Sequence, residues 1–356
     1  MAYELDNYSW FDKFVHRLVF CSPRVQIAAA ELEDRLFRGG LDSLEMGAPV
    51  FITSLPRAGT TILLTALNST PELGSCLYRD MPFIAAPLLW ASLSHRHRKS
   101  ATWQERVHGD GIKISYDSPE AFEEVMWRTF WPEKFKSRQT SLWSINDLKS
   151  QETDCMLRHF KKIVALRCKP SAQPGRYLSK NNGNIARLAL IKRMFPESQI
   201  LIPVRSPLAH ATSLHRQHLN FLKRYADDGF ALRYMESLGH YEFGALHRPI
   251  LFSEFQELSE SLTPNDVDYW LAYWISAFQY VALNRNHVHI IDYDDMCRRS
   301  DRWAIKLCEL LSLDETRAPT ISKHFQIVRQ KNRTIQNYGS RLRDRAEAVY
   351  SKILAN

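Results

Sequence analysis

The stretch Pro49-Val50-Phe51-Ile52-Thr53-Ser54-Leu55-Pro56-Arg57-Ala58-Gly59-Thr60-Thr61 opens on an apolar run and closes on a glycine and two hydroxyls. The run Pro49 to Thr53 reads as a buried strand, and the residues from about Thr60 to Asn68 read as a helix that ends before Pro71. A strand entering a helix through a short glycine-containing loop suits an anion. Gly59 lets the backbone approach closely, and the first helical N–H groups have no partner within the helix. Thr60 and Thr61 add hydroxyl donors, and Arg57 adds a forked cation for two phosphate oxygens. This is not a Walker A loop, which needs a lysine directly after its second glycine; here Thr60 holds that place.

The same alternation continues along the chain. Phe160 to Arg167 reads as a buried strand, and a loop carries Ser179-Lys180-Asn181-Asn182. Helix Ile185 to Phe195, strand Gln199 to Val204 and a helix starting near Pro207 follow. Residues 265–285 read as a helix, Val288 to Tyr293 as a strand and Arg302 to Leu311 as a helix. Strands alternating with helices predict an α/β fold with a parallel sheet covered on both faces. No Pro/Gly-rich linker divides the chain, so residues 1–356 are expected to form a single domain. It would carry a helical N-terminal extension over about 1–45 and a mostly helical, aromatic-rich insertion over about 75–150 after the first βα unit.

The chain has 356 residues, with 47 Lys+Arg against 39 Asp+Glu, a formal balance of +8. With 45% hydrophobic and 24% charged residues it is no disordered, collagen-like or disulfide-stapled chain. The positive balance suggests an anionic partner. No nucleic-acid-binding motif is present, so none is expected to be nucleic acid. The most apolar stretches, such as Phe83 to Leu93, are too short to span a bilayer. The start Met1-Ala2-Tyr3-Glu4-Leu5-Asp6 is acidic where a secretory signal is basic. Six cysteines, none in Cys-x-x-Cys spacing, read as reduced thiols, which makes a cytoplasmic location the expectation. No Cys/His set has ligand spacing, so no metal is expected.

The loop Pro56-Arg57-Ala58-Gly59-Thr60-Thr61 resembles the 5′-phosphosulfate loop of sulfotransferases that use 3′-phosphoadenosine 5′-phosphosulfate. Its arginine form is similar to tyrosylprotein and many bacterial carbohydrate sulfotransferases. That resemblance implies a P-loop-like three-layer fold with a central, mostly parallel sheet. It implies the phosphosulfate donor, with adenosine 3′,5′-bisphosphate as product, and it demands a second motif: a strand ending in Arg with Ser eight residues on, for the 3′-phosphate. Arg205 follows the strand Ile200 to Val204, and Ser213 lies about two turns into the next helix, so both can face one crevice at the sheet's carboxyl edge. Ser206 stands where the family often has Asp or Asn. Lys180 precedes Phe195-Pro196 as a lysine near the transferring group does in the tyrosylprotein enzymes. Asp292-Tyr293-Asp294-Asp295-Met296 resembles a structural late strand and helix start.

The implied site is thus Arg57, Ala58, Gly59, Thr60, Thr61, Arg205 and Ser213 for the donor, with Arg57 and Lys180 stabilising the leaving phosphate. An acceptor hydroxyl needs a general base, and Asp80 is the carboxylate in the corresponding stretch after the first helix. His108, Asp110, Glu123 and Glu124 are further candidates. The expected acceptor is a hydroxyl of a saccharide or glycolipid, with a small-molecule or protein tyrosine hydroxyl as the alternative. An NTP-dependent, kinase-like transferase is the rival class. The Trp-rich stretch 85–143 suits either an acceptor groove or a core. Trp10, Phe11 and Phe14 beside Lys13 and Arg17 suit docking on the domain, or peripheral contact with a membrane. Arg329, Lys331 and Arg333 in the basic tail suit a loop closing over the nucleotide, or a solvated face.

Overall fold

The structure, a computed structural model, describes residues 19–20, 22–94, 104–105, 113–115, 117–169, 173–325 and 338–355. Trp10, Phe11, Lys13, Phe14 and Arg17 of the expected N-terminal extension therefore lie outside the described residues, as do Arg329, Lys331 and Arg333. The strands are β1 (Gly47–Ile52), β2 (Leu73–Gly74), β3 (Gln104–Glu105), β4 (Lys113–Ile114), β5 (Arg176–Lys180), β6 (Gln199–Val204) and β7 (His289–Asp292). The main helices are α1 (Pro23–Leu36), α2 (Thr60–Leu67), α3 (Glu123–Phe130), α4 (Ser150–Arg167), α5 (Leu188–Met194) and α6 (Pro207–Asp227). They continue with α7 (Gly229–Leu238), α8 (Val267–Leu283), α9 (Ser300–Leu311) and α10 (Ser340–Ala355).

Five strands form one sheet in the order β2-β5-β1-β6-β7, and every pairing in it is parallel. Successive residues of a strand point to opposite faces, and β1 shows the consequence. Phe51 packs on one side with Phe160, Tyr177 and Ile202, while Val50 and Ile52 pack on the other with Leu63, Leu67 and Leu307. Both faces are therefore covered by helices, which gives the expected three-layer α/β architecture and explains why β1 reads as a continuous apolar run. The short β3–β4 pair is antiparallel and lies outside the sheet.

Two local expectations change. Residues 160–167 are not a strand but the second half of α4. Their burial has helical spacing: Met156, Phe160, Ile163 and Val164 are buried, at i, i+4, i+7 and i+8, on the same side as the buried His159 and Lys162. The strand that a parallel sheet needs there is β5, in the segment read as the start of a loop. Arg176-Tyr177-Leu178-Ser179-Lys180 has a single aliphatic residue, and it becomes a strand because β1 and β2 pair with it from both sides. Among the described residues, the stretch 75–150 holds the helix Pro87–Ser94, α3, the β3–β4 pair and 3₁₀ turns such as Tyr78–Asp80, Pro132–Phe135 and Ile145–Asp147. Trp127, Trp131 and Trp143 are buried among each other, so this part of the tryptophan-rich stretch is core.

Candidate active site

The loop that follows β1 is built by its attachment to β6. The Thr53 N–H donates to the Leu201 carbonyl at 3.0 Å, and the Ser54 hydroxyl donates to the Pro203 carbonyl at 2.7 Å. The chain then turns sharply: Arg57 has φ +71° and Gly59 φ +95°. Left-handed backbone of this kind is easy for glycine and strained for arginine, and such strain persists where the surroundings impose it. Gly59 also lies directly against the Tyr293 ring, where a Cβ would overlap the ring carbons. We expect Gly59→Ala to lower folding stability by about 2–4 kcal/mol, from the unfavourable φ and the clash together, as read by urea unfolding.

The second junction meets the first. After β6, Arg205 and Ser206 lead into α6, and the Ser206 N–H donates to an Asp294 carboxylate oxygen at 3.0 Å. Arg205 stacks over the Tyr293 ring at 5.7 Å, so one tyrosine backs both Gly59 and Arg205. Arg57 Nε stands 3.5 Å from Ser213 Oγ, which brings the cation of one loop to the hydroxyl of the other. His210 locks the two together. One ring nitrogen lies 2.7 Å from the Pro56 carbonyl, and the other accepts from the Trp274 indole N–H at 3.2 Å. Burial, followed by the nearby Arg205 and Arg57 charges, pushes the imidazole down to about 3, so it is neutral and donates to Pro56. The segment 292–295 is structural, as expected: Asp292 caps the helix start through the Asp295 N–H, and Asp295 accepts from Trp303.

Lys180 arrives by strand register. It stands opposite Ile52, the last residue of β1, and the next N–H, of Asn181, donates to the Ile52 carbonyl at 3.0 Å. Lys180 is buried and lines a cavity of about 60 Å³ beside Pro56. Asn182 connects this cavity to the start of α2. Its Oδ1 lies 3.5 Å from the Thr60 hydroxyl and its Nδ2 3.3 Å from Glu242 Oε1. Tyr241, Trp270 and Tyr273 give the cavity aromatic walls. Glu242 is half-buried; that burial alone would raise its pKa, but His240 and then Lys180 hold it down at about 2. His240 Nδ1 lies 3.4 Å from Glu242 Oε2.

The carboxylate candidates separate. Asp80 does not line this cavity. It is buried, pairs with Arg167 at the end of α4 and accepts the Leu77 N–H at 2.7 Å. Arg167 lies against Gly74, which pairs with Tyr177 at the amino end of β5. That end is three residues, about 10 Å of strand, from Lys180. Glu123 is buried and accepts from Trp127, Tyr177 and Asn184. Glu124 reaches the cavity wall but is gripped by both terminal nitrogens of Arg187, at 2.9 and 2.5 Å, and by Asn181 at 2.6 Å. His108 and Asp110 lie outside the described residues. His240, Glu242 and Arg187 carried no sequence signal; no motif spaces them, and only the folded chain brings them to one wall. Among the described residues, no group of three or more His, Cys, Asp or Glu is arranged to hold a metal.

No curated protein is similar to the chain in sequence. Among solved structures, sulfotransferase STF9 from Mycobacterium avium superposes with a TM-score of 0.51 at 14% identity, covering 98% of this chain and 85% of that one. Sulfotransferase STF1 from Mycobacterium tuberculosis H37Rv has a TM-score of 0.48 at 12% identity, with coverage of 98% and 87%. A sulfotransferase from Alicyclobacillus acidocaldarius has a TM-score of 0.40 at 14% identity, with coverage of 87% and 94%. The model of the sulfotransferase family matches residues 49–249, more than half of the chain, a span that takes in β5, β6, α6 and most of β1. With more than half of the chain matched, the chain belongs to the sulfotransferase family and is an enzyme of sulfuryl transfer.

Proposed function

We propose that the enzyme moves the sulfuryl group of 3′-phosphoadenosine 5′-phosphosulfate to a hydroxyl of a saccharide or glycolipid. The observation that carries this reading is the 3.5 Å approach of Arg57 to Ser213, which joins the two phosphate-reading junctions at one sheet edge. The residues fit a nucleotide with two separated phosphate groups. Arg57, Ala58, Gly59, Thr60 and Thr61 would hold the 5′ end through the turn, the hydroxyls and the helix start. Arg205 and Ser213 would hold the 3′-phosphate. The donor supplies an activated sulfuryl group and leaves as adenosine 3′,5′-bisphosphate. Arg57 and Lys180 would stabilise the charge that gathers on the leaving phosphate, as fixed cations in a site partly closed to water do.

The aromatic walls of Tyr241, Trp270 and Tyr273 support a sugar-ring acceptor. The same aromatic walls support the second reading, a phenolic hydroxyl of a small molecule or a protein tyrosine. Among the described residues no helix is long and apolar enough to cross a membrane, and five cysteines are free, which supports a cytoplasmic location. Asp80, held by Arg167, we assign to keeping the loop after β2 in place.

Titration calorimetry with adenosine 3′,5′-bisphosphate tests the reading. Arg205→Ala and Ser213→Ala should each weaken binding, the arginine by about 10- to 100-fold, a charge-assisted bond being worth about 1.5–3 kcal/mol. Unchanged affinity in both, or tight Mg-ATP binding with none of the bisphosphate, would remove the donor assignment.

A further inference from the structure

We infer that His210 is a positioning residue that fixes the separation of the two phosphate-reading junctions, and so sets the preference for a nucleotide with both phosphates over one with a single phosphate. This rests on the donor reading above. His210 is fully buried near the start of α6, three residues before Ser213, so the two side chains share one helix face. Its Nε2 lies 2.7 Å from the carbonyl of Pro56, the residue directly before Arg57. This tie runs beside the 3.5 Å approach of Arg57 to Ser213, about one helical turn away. Thr53 and Ser54 bind the same loop to β6, and His210 binds it to α6 two residues further on.

A third element fixes the direction of that bond. Trp274 is fully buried on α8, and its indole N–H, which can only donate, lies 3.2 Å from His210 Nδ1. A neutral ring that accepts at Nδ1 carries its proton on Nε2, facing Pro56. The Pro56 carbonyl belongs to the planar peptide that enters Arg57. Holding that plane helps to impose the left-handed backbone of Arg57, φ +71°. Each junction alone offers groups for one phosphate. A nucleotide with two gains from both only when they stand at the distance its ribose sets, and rigid spacing spares the cost of arranging them on binding.

The test is titration calorimetry of the full chain with adenosine 3′,5′-bisphosphate and with adenosine 5′-monophosphate. Wild type should prefer the bisphosphate. His210→Leu keeps much of the bulk and removes both bonds. In it the preference should fall about 10-fold or more through weaker bisphosphate binding, the scale of a lost buried hydrogen bond, while monophosphate affinity stays within about 3-fold. His210→Gln, whose amide can donate to Pro56 and accept from Trp274, should restore most of the preference. Trp274→Phe removes the N–H that selects the tautomer and should lower the preference in the same direction. Should His210→Leu not fold, Trp274→Phe decides alone. An unchanged preference in these two variants, an equal loss for both nucleotides, or a glutamine variant no better than the leucine one overturns the assignment. Wild type that binds neither nucleotide, or both equally, would instead overturn the donor reading.

Discussion

Arg57→Ala is expected to lower sulfuryl transfer by about 10³-fold or more, the scale seen when an arginine that stabilises a transferring group is removed. The effect should fall on kcat more than on donor affinity. Charge accumulates on the bridging oxygen and the leaving phosphate only as the bond to sulfur breaks, so a forked cation there acts mainly on the transition state. A smaller loss of bisphosphate affinity should accompany it, because Arg57 also approaches Ser213 in the second junction. Arg57 has left-handed backbone, φ +71°, so its replacement also touches the folding of the loop. Arg57→Gly separates the two effects. Glycine adopts that backbone without strain, so stability should stay within about 1 kcal/mol while turnover falls as far as in the alanine variant. Steady-state kinetics of both variants beside their urea unfolding curves provides the check. Turnover within tenfold of wild type would remove Arg57 from the chemistry.

The second large effect is on stability. Arg187→Ala should destabilise the protein by about 3–5 kcal/mol, the cost of removing one partner of a buried ion pair. Arg187 is 1% exposed and pairs with Glu124 through both terminal nitrogens. Its guanidinium also lies against the rings of both Trp127 and Trp143, at 4.7 and 4.6 Å, and the same substitution removes these cation–π contacts. The alanine variant leaves Glu124 as a buried carboxylate with Asn181 as its remaining partner from this cluster, and it opens the cavity wall. The double variant Glu124→Gln with Arg187→Met removes both charges while keeping much of the volume, and it should recover most of the loss. Urea midpoints of the two variants measure this. A single variant that loses less than about 1 kcal/mol would mean that Arg187 is solvated by water from the cavity.

Arg57, Gly59, Thr60, Arg205 and Ser213 were legible as one cluster because each group belongs to one strand, the loop after it and the helix that follows. Within such a unit the chain itself sets the spacing, and apolar β-favouring runs, a glycine and a proline at a first helical turn are local signals. The α/β layering followed from the same alternation. The segment 160–167 failed by that rule, since a short apolar run is compatible with strand or helix until its neighbours are known. Strand β5 failed for the converse reason: its residues have weak strand preference, and two neighbouring strands impose the conformation.

Carboxylates divide along the same line. Asp80 and Arg167 are 87 positions apart, and Glu124 and Arg187 are 63 apart. A carboxylate becomes part of a structural ion pair only when folding delivers a cation to it in a place closed to water, and no local pattern foretells that delivery. His240 and Glu242 are close in sequence, yet they share a cavity with Lys180 only because the turn after α7 is folded back onto the edge where Lys180 ends β5. The two strand–loop–helix junctions are written in consecutive residues, so the order of amino acids was enough to locate them. Which acidic groups serve as structural partners and which face the cavity was settled by tertiary packing, because burial and pairing depend on residues that meet only in the completed fold.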